Sequence, residues 1–218
     1  MIIIDEKKIA GAYLGNDKIN TALFLQTAPS NCMYDNVLKK FFENKGSGQF
    51  IYGINSNEPY LKGALAQYID TVILPNQNTK VEIKFEFDAA NPNYRALIGS
   101  FFAADTRFFL TCIGGAGNIN YQFQTTNSQT VNLPFGQKHK ITISRSGVYV
   151  NGVFWNSVSQ TAFANERSLY LFAGNNLDFT PGQFSDAKIY TLKIWQDDVL
   201  IQDLMPVYVG QKIENILL

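Results

Sequence analysis

Between Lys80 and Asp88 the chain reads KVEIKFEFD, and its apolar residues fall on every second position. Val81, Ile83, Phe85 and Phe87 take one side; Glu82, Lys84 and Glu86 take the other. A period of two belongs to extended backbone, whose successive side chains leave opposite faces, so the stretch predicts a strand with one buried and one wet face. HKITISRSG (His139 to Gly147) repeats the pattern and runs into GVYVNGVFW. There Asn151-Gly152 separates two apolar runs, and Asn-Gly tolerates the positive φ of a type I′ turn, which predicts a tight hairpin. Asp197-Asp198 predicts another, between AKIYTLKIWQ and VLIQDLMPV. RALIGSFF, RFFLTCIGG, NINYQFQTT and SLYLFAGN add short apolar runs at roughly ten-residue spacing, set apart by Gly, Asn and Pro. Such a chain predicts two packed antiparallel sheets, an all-β sandwich, and no helix of any length.

The first thirty residues follow a different rule. KIAGAYL (Lys8 to Leu14) and KINTALF (Lys18 to Phe24) align with Lys, Ile and Ala at matching places, and GND (Gly15 to Asp17) bends between them. Two strands alone are marginal in water, so this hairpin has to dock on the main domain or on another subunit. Thr27 to Ser30, with Pro29, reads as a linker. The expected division is an N-terminal hairpin anchor over residues 1–29 and a sandwich over residues 30–218.

Composition narrows the function classes. Of the 218 residues 46% are hydrophobic, enough for a substantial core. Lys plus Arg and Asp plus Glu number 18 each, and GQKHK is the densest basic cluster; nucleic-acid binding, which needs a concentrated basic surface, is not expected. No apolar run approaches the roughly 18 residues of a membrane-spanning helix. The opening MIII meets DEKK at once, so no signal peptide is expected. Cys32 and Cys112 lie 80 residues apart in a pattern that fits no metal site, and read as buried free thiols.

From Tyr60 to Val207 the chain resembles the concanavalin A-like, laminin-G-like jelly-roll domains of gut bacteria and their phages. The segments that carry the likeness are AQYIDTVILPNQNTKVEIKFEF, FGQKHKITISRSGVYVNG, LYLFAGN and FSDAKIYTLKIWQDDVLIQDLMPV. Domains of that kind commonly continue past DLMPV into a closing hairpin. Here the matching segment, NCMYDNVLKKFFENKGSGQF, stands at Asn31 to Phe50 instead. The resemblance implies that residues 31–53 complete the sandwich from the front, either within the chain as a permutation or in a neighbouring subunit as a swap. The paired KIAGAYL and KINTALF segments also look like strand repeats of phage tail and baseplate proteins. Together the resemblances imply a virion structural protein: a surface, fibre, tail or capsid-decoration component that displays a lectin-like sandwich for adhesion to glycans. Its expected partners are other virion proteins, copies of itself in a homo-oligomer, and a cell-surface glycan; nucleic acid and membrane are not among them. A secreted or surface carbohydrate-binding module of a bacterium is the alternative.

Candidate chemistry is sparse. EIKFE (Glu82 to Glu86) is similar to the catalytic motif of laminarinase-type glycoside hydrolases, which reads Glu-Ile-Asp-Phe-Glu. Retaining hydrolysis needs two carboxyls about 5–5.5 Å apart, one of them protonated. Lys84 stands where the motif has Asp, and a cation there would hold both glutamates ionised. The expectation is therefore no enzyme, and a solvated strand face. His139 is the sole histidine; between Lys138 and Lys140 it reads as a surface residue, and no triad can be built without it. GGAG (Gly114 to Gly117) lacks the Lys-Ser/Thr pair of a phosphate loop. The loop carboxylates Asp105, Asp178 and Asp186 are of the type Ca²⁺ takes, but no dense Asp/Asn loop supports a site, so no cofactor is expected. Sugars are held by aromatic faces and by amide and carboxylate groups. The Tyr-, Asn- and Gln-rich loops NPNY, GNINYQ, FWNS and GNNLD therefore nominate Tyr94, Tyr121, Trp155 and Asn175 as glycan-binding residues. Core packing is the competing role for the aromatics, a turn for Asn175. Trp195, within IYTLKIWQ, reads as buried.

Overall fold

The alternation in KVEIKFEFD is realised as the strand Thr79–Glu86, with Val81, Ile83 and Phe85 essentially sealed from solvent. The computed structural model describes the chain except residues 1, 5–6, 15–16, 64–65, 89–94, 102, 104–105, 114–116, 125–128, 177, 179 and 218. For residues 2–4, 7–14, 17–25, 113, 129 and 214–217 it describes the backbone alone. Among the described residues there is no helix; the protein is an all-β sandwich with a small third sheet.

Thr79–Glu86 lies at the centre of the first sheet. On one side follow His139–Ser144, Gly147–Val150 and the edge strand Val153–Asn156; on the other, Lys188–Gln196, Val199–Val207, Cys32–Asp35 and Lys40–Phe42. The second sheet runs Gln129–Asn132, Asn118–Gln124, Arg107–Ile113, Arg95–Phe101, Tyr170–Leu171, Ile69–Asp70. The core lies between them, and joins Val81, Ile83 and Phe85 to Leu97, Ile98, Phe108, Leu110 and Phe123 in one cluster. Burying each such side chain contributes about 1.5–3 kcal/mol, which is what holds the two layers together.

Tight turns set the register. Asn151 and Gly152 take φ of 51° and 85°, both positive as a type I′ hairpin requires. The Asp197-Asp198 bend does the same at 49° and 63°. Asn and Asp reach this region more readily than other L-residues because a short polar side chain can bond locally.

The early segment docks within its own chain. Cys32–Asp35 pairs antiparallel with Val199–Val207, from Val207 opposite Cys32 to Leu204 opposite Asp35, and Lys40–Phe42 pairs beyond it. Asp35 fixes the junction. Its fully buried Oδ1 accepts from the backbone N–H of Val37, Leu38 and Asp203 at 2.8, 3.2 and 3.2 Å. Met33, Phe42 and Phe50 then enter the main core. The tail end of the segment, Ile51–Asn55, turns away to form a hairpin with Glu58–Lys62.

One boundary differs from the sequence reading. Lys212–Leu217, assigned there to the sandwich, pairs antiparallel with Asp17–Thr27 and so joins the N-terminal hairpin in a four-stranded sheet. The cause is the turn after Val207: Gly210 takes φ 83°, and its N–H donates to Ala28 O, reversing the chain alongside the linker. Ile2–Ile4, Lys7–Leu14, Asp17–Thr27 and Lys212–Leu217 therefore share one small sheet.

Candidate functional site

The wet side of the first sheet is built by the same alternation that builds the core. Cross-strand registers line up Phe154, Tyr149, Thr142, Glu82, Lys193 and Asp203 as one row across five strand junctions. Tyr149 and Phe154 meet edge to face at 5.6 Å, and Phe154 is 55% exposed. Thr142 Oγ1 donates to Glu82 at 3.3 Å, with Lys140 3.5 Å from the same carboxylate, and Lys193 lies 3.7 Å from Asp203. In the adjoining row Lys80 faces Trp195, its ammonium 4.0 Å from the indole ring centre. Polar groups thus lie between an aromatic pair on one flank and an indole on the other.

Lys80 also lines a cleft of about 660 Å³ at this end of the sheet. Two hairpin tips wall it: Ser144, Arg145 and Ser146 on one, Asp197 and Asp198 on the other, with Asn78 and Gln160 between. Asn78 Nδ2 donates to Asp197 at 2.6 Å, and Gln160 bonds Arg145 through both its amide atoms, at 2.9 and 3.4 Å. The cleft therefore presents carboxylates, amides, hydroxyls and a guanidinium on braced backbone, a set that can both donate to and accept from sugar hydroxyls.

The other half of this face is roofed by the hairpin Ile51–Lys62. Glu58 receives Lys84 Nζ at 2.6 and 2.7 Å and Lys138 Nζ at 3.1 Å. Asn55 Nδ2 donates to Glu86 at 2.8 Å and to the Tyr190 hydroxyl at 3.0 Å. Glu86, 4% exposed, also accepts from Tyr190 at 2.7 Å and Lys188 at 2.9 Å. Burial alone would raise the Glu58 and Asp88 carboxyls, but hydrogen bonds and charge from Lys84 and Lys138 in one case, and Lys188 and Lys62 in the other, hold both below the usual range. Burial and the Glu86 carboxylate push the Tyr190 phenol up. The expectation that Lys84 would serve both glutamates of EIKFE is corrected: its ammonium is taken by Glu58, and Glu82 and Glu86 each have partners of their own.

The nominated glycan-binding residues fall in different places. Tyr94 lies outside the described residues. Tyr121 is 3% exposed; its hydroxyl donates to Ser157 O at 2.8 Å and its ring meets Trp155 edge to face at 5.3 Å. Trp155 packs against the main core, so these two bridge the two sheets inside the sandwich and not on the open face. Asn175 is 2% exposed and donates to Ser168 O at 3.0 Å from the second sheet. The open face instead carries Phe154, Tyr149, Lys80 and Trp195. Trp195, expected to be buried, is half-buried on the wet side beneath Lys80. His139, expected at the surface, is 6% exposed, with Nε2 2.9 Å from Pro134 O, because it starts a strand on the core-facing parity opposite Phe85.

Asp105 lies outside the described residues, Asp178 is engaged by Thr180, and Asp186 pairs with Arg95. Among the described residues no group of three or more His, Cys, Asp or Glu gathers to hold a metal. Cys32 and Cys112 are free and buried, and burial raises both thiols to about 11.

No family model matches the chain, and no curated protein matches its sequence. Solved structures do. Domain 4 of AbnA, a GH43 extracellular arabinanase from Geobacillus stearothermophilus solved in complex with arabinotriose, is similar over 83% of this chain and 96% of that one, at 15% identity and a TM-score of 0.50. A Trypanosoma rangeli sialidase is similar over 78% of this chain and 30% of that one, at 8% identity and 0.48. A heptameric SAP-like pentraxin from Limulus polyphemus is similar over 88% and 97%, at 11% identity and 0.43. At these identities the likeness is one of fold, and the arabinanase domain establishes it as a β-sandwich.

Proposed function

We propose that the protein is a non-catalytic, lectin-like jelly roll of the concanavalin A and laminin-G type, carried on a phage particle as a structural component and used for adhesion to glycans. The observation that carries the binding reading is the open half-face: the Tyr149–Phe154 pair and Trp195 flank a polar row that runs into the Lys80-lined cleft. Aromatic faces offer sugars their C–H contacts, and the carboxylates and amides read hydroxyls. A sandwich of this architecture is known to carry an oligosaccharide, as the arabinanase domain with arabinotriose does. The non-catalytic reading is supported by Glu86, which is 4% exposed and already engaged by Asn55, Tyr190 and Lys188. The small sheet, in which Lys212–Leu217 pairs with Asp17–Thr27, suits an anchor for a displayed domain.

A glycan array followed by calorimetry on the best hit tests the reading. Trp195→Ala and Phe154→Ala should each weaken binding by about tenfold, the loss of about 1.4 kcal/mol expected of one stacking face. No hit on the array, or hits that both variants retain, would overturn it. Electron microscopy of a particle that contains this chain tests the virion assignment directly.

A further inference from the structure

The roofed half of the face holds a second arrangement, made of the protein's own groups. Lys84 and Lys138 lie 5.9 and 4.5 Å from the centre of the Tyr190 ring, and between them they hold a carboxylate, that of Glu58. Beside it, Asn55 offers a donor to Glu86 and to the Tyr190 hydroxyl. An aromatic floor, two ammonium groups on one carboxylate and a buried acceptor for a neighbouring donor are what a sugar bearing a carboxylate would need.

The tip that supplies these mimics is attached through polar contacts. Only the base of the hairpin pairs with the sheet, through Lys62 opposite Lys188 and Leu61 opposite Ile189. Its turn residues, Ser56 and Asn57, both take positive φ, at 51° and 63°. The outward side of the tip is open, with Ile54 66% exposed. Asn55 and Glu58 hold the tip down by hydrogen bonds and ion pairs, including Lys138 Nζ to Asn55 O at 2.8 Å, contacts that water or a competing ligand can replace. Tyr60, edge-on to Tyr190 at 5.8 Å, and fully buried Leu61 keep the base in place.

We propose that the tip of this hairpin is a plug seated in a binding site for a uronate residue of an acidic polysaccharide, with Lys84 and Lys138 as the carboxylate ligands and Tyr190 as the ring platform. The inference rests on the carbohydrate-binding reading but uses a different part of the face. Tetragalacturonate is titrated into the full chain and into Glu58→Ala, with a neutral galactose tetramer and tetraglutamate as companion probes. Glu58→Ala should bind tetragalacturonate about tenfold more tightly than the parent, and Lys138→Ala added to it should abolish the gain. If Glu58→Ala does not fold, Glu58→Gln, which keeps the shape and removes the charge, carries the same expectation. No gain, or an equal gain for tetraglutamate, overturns the proposal and leaves Glu58 as a brace for the hairpin. The two readings separate cleanly: Trp195→Ala should leave the uronate gain intact, and Glu58→Ala should leave glycan binding at the open face unchanged.

Discussion

Glu58 shows how much one side chain can decide. Its carboxylate is shared by Lys84 and Lys138, which hold its pKa down against the opposing effect of burial, and Asp88 is held down in the same way by Lys188 and Lys62. A carboxyl whose folded pKa lies below its unfolded value adds stability above that unfolded value, and loses it as the pH falls through the folded one. The unfolded reference for Glu is about 4.3, so both contributions are complete at neutral pH and fade in the acid range below it. Glu58→Gln should therefore be less stable than the parent at pH 7 and lose less on acidification, since Asp88 alone keeps the effect. Urea midpoints at pH 7 and pH 3 measure this; equal losses in the two proteins would contradict it. The residue scale is also where the sequence was least readable. Trp155 and Phe154 are neighbours in FWNS, and a shift of one position exchanges core for solvent. Composition of the loop nominated Trp155, but the register of the edge strand against Gly147–Val150 puts Phe154 outside.

At the scale of the strand the alternation itself is open to test. Ile83 is fully buried in the core, while Glu82, next to it, meets Thr142 and Lys140 on the wet side. Ile83→Ala should lower stability by about 2–5 kcal/mol, the range for emptying such a core position. Glu82→Ala should change it by no more than about 1 kcal/mol, because the exposed pair it breaks is weak. Chemical denaturation of the two variants checks the contrast, and similar losses would mean that the face assignment is wrong. Most strands were legible for this reason: period-two runs such as KVEIKFEFD and HKITIS bury one face whatever surrounds them. The hairpins at Asn151-Gly152 and Asp197-Asp198 were legible from turn chemistry. The roof over Glu86 was not, because IYGINSNEPYLK gives no sign of which face it will cover. That depends on Asn55 and Glu58 finding Tyr190, Lys84 and Lys138, residues that are distant in sequence. Trp195 was misread although its parity was legible: it alternates with Leu192 and Ile194 on the side of Thr191 and Lys193, opposite Lys80, and its large apolar ring suggested the core instead.

For the whole molecule the question is where the early segment belongs. Its sequence resembled a hairpin that closes such sandwiches from the C-terminal side, which left closure within the chain, the reading it favoured, and exchange between chains both open. In this structure Cys32–Asp35 pairs with the Val199–Val207 strand of its own chain, and Asp35 stitches both sides of that junction. The reach is short because the linker runs beside the turn that follows Val207: Ala28 N–H donates to Gln211 O, and Gly210 N–H donates to Ala28 O. Closure within the chain makes folding of the sandwich a one-body reaction, whatever the small sheet assembles with. An exchanged segment would link it to association, and stability would then rise with protein concentration. The urea midpoint, measured over a hundredfold range of concentration on the full chain, should therefore stay constant. A midpoint that climbs with concentration would mean that Met33, Phe42 and Phe50 fill a neighbour's core, and that the sandwich is completed only on association.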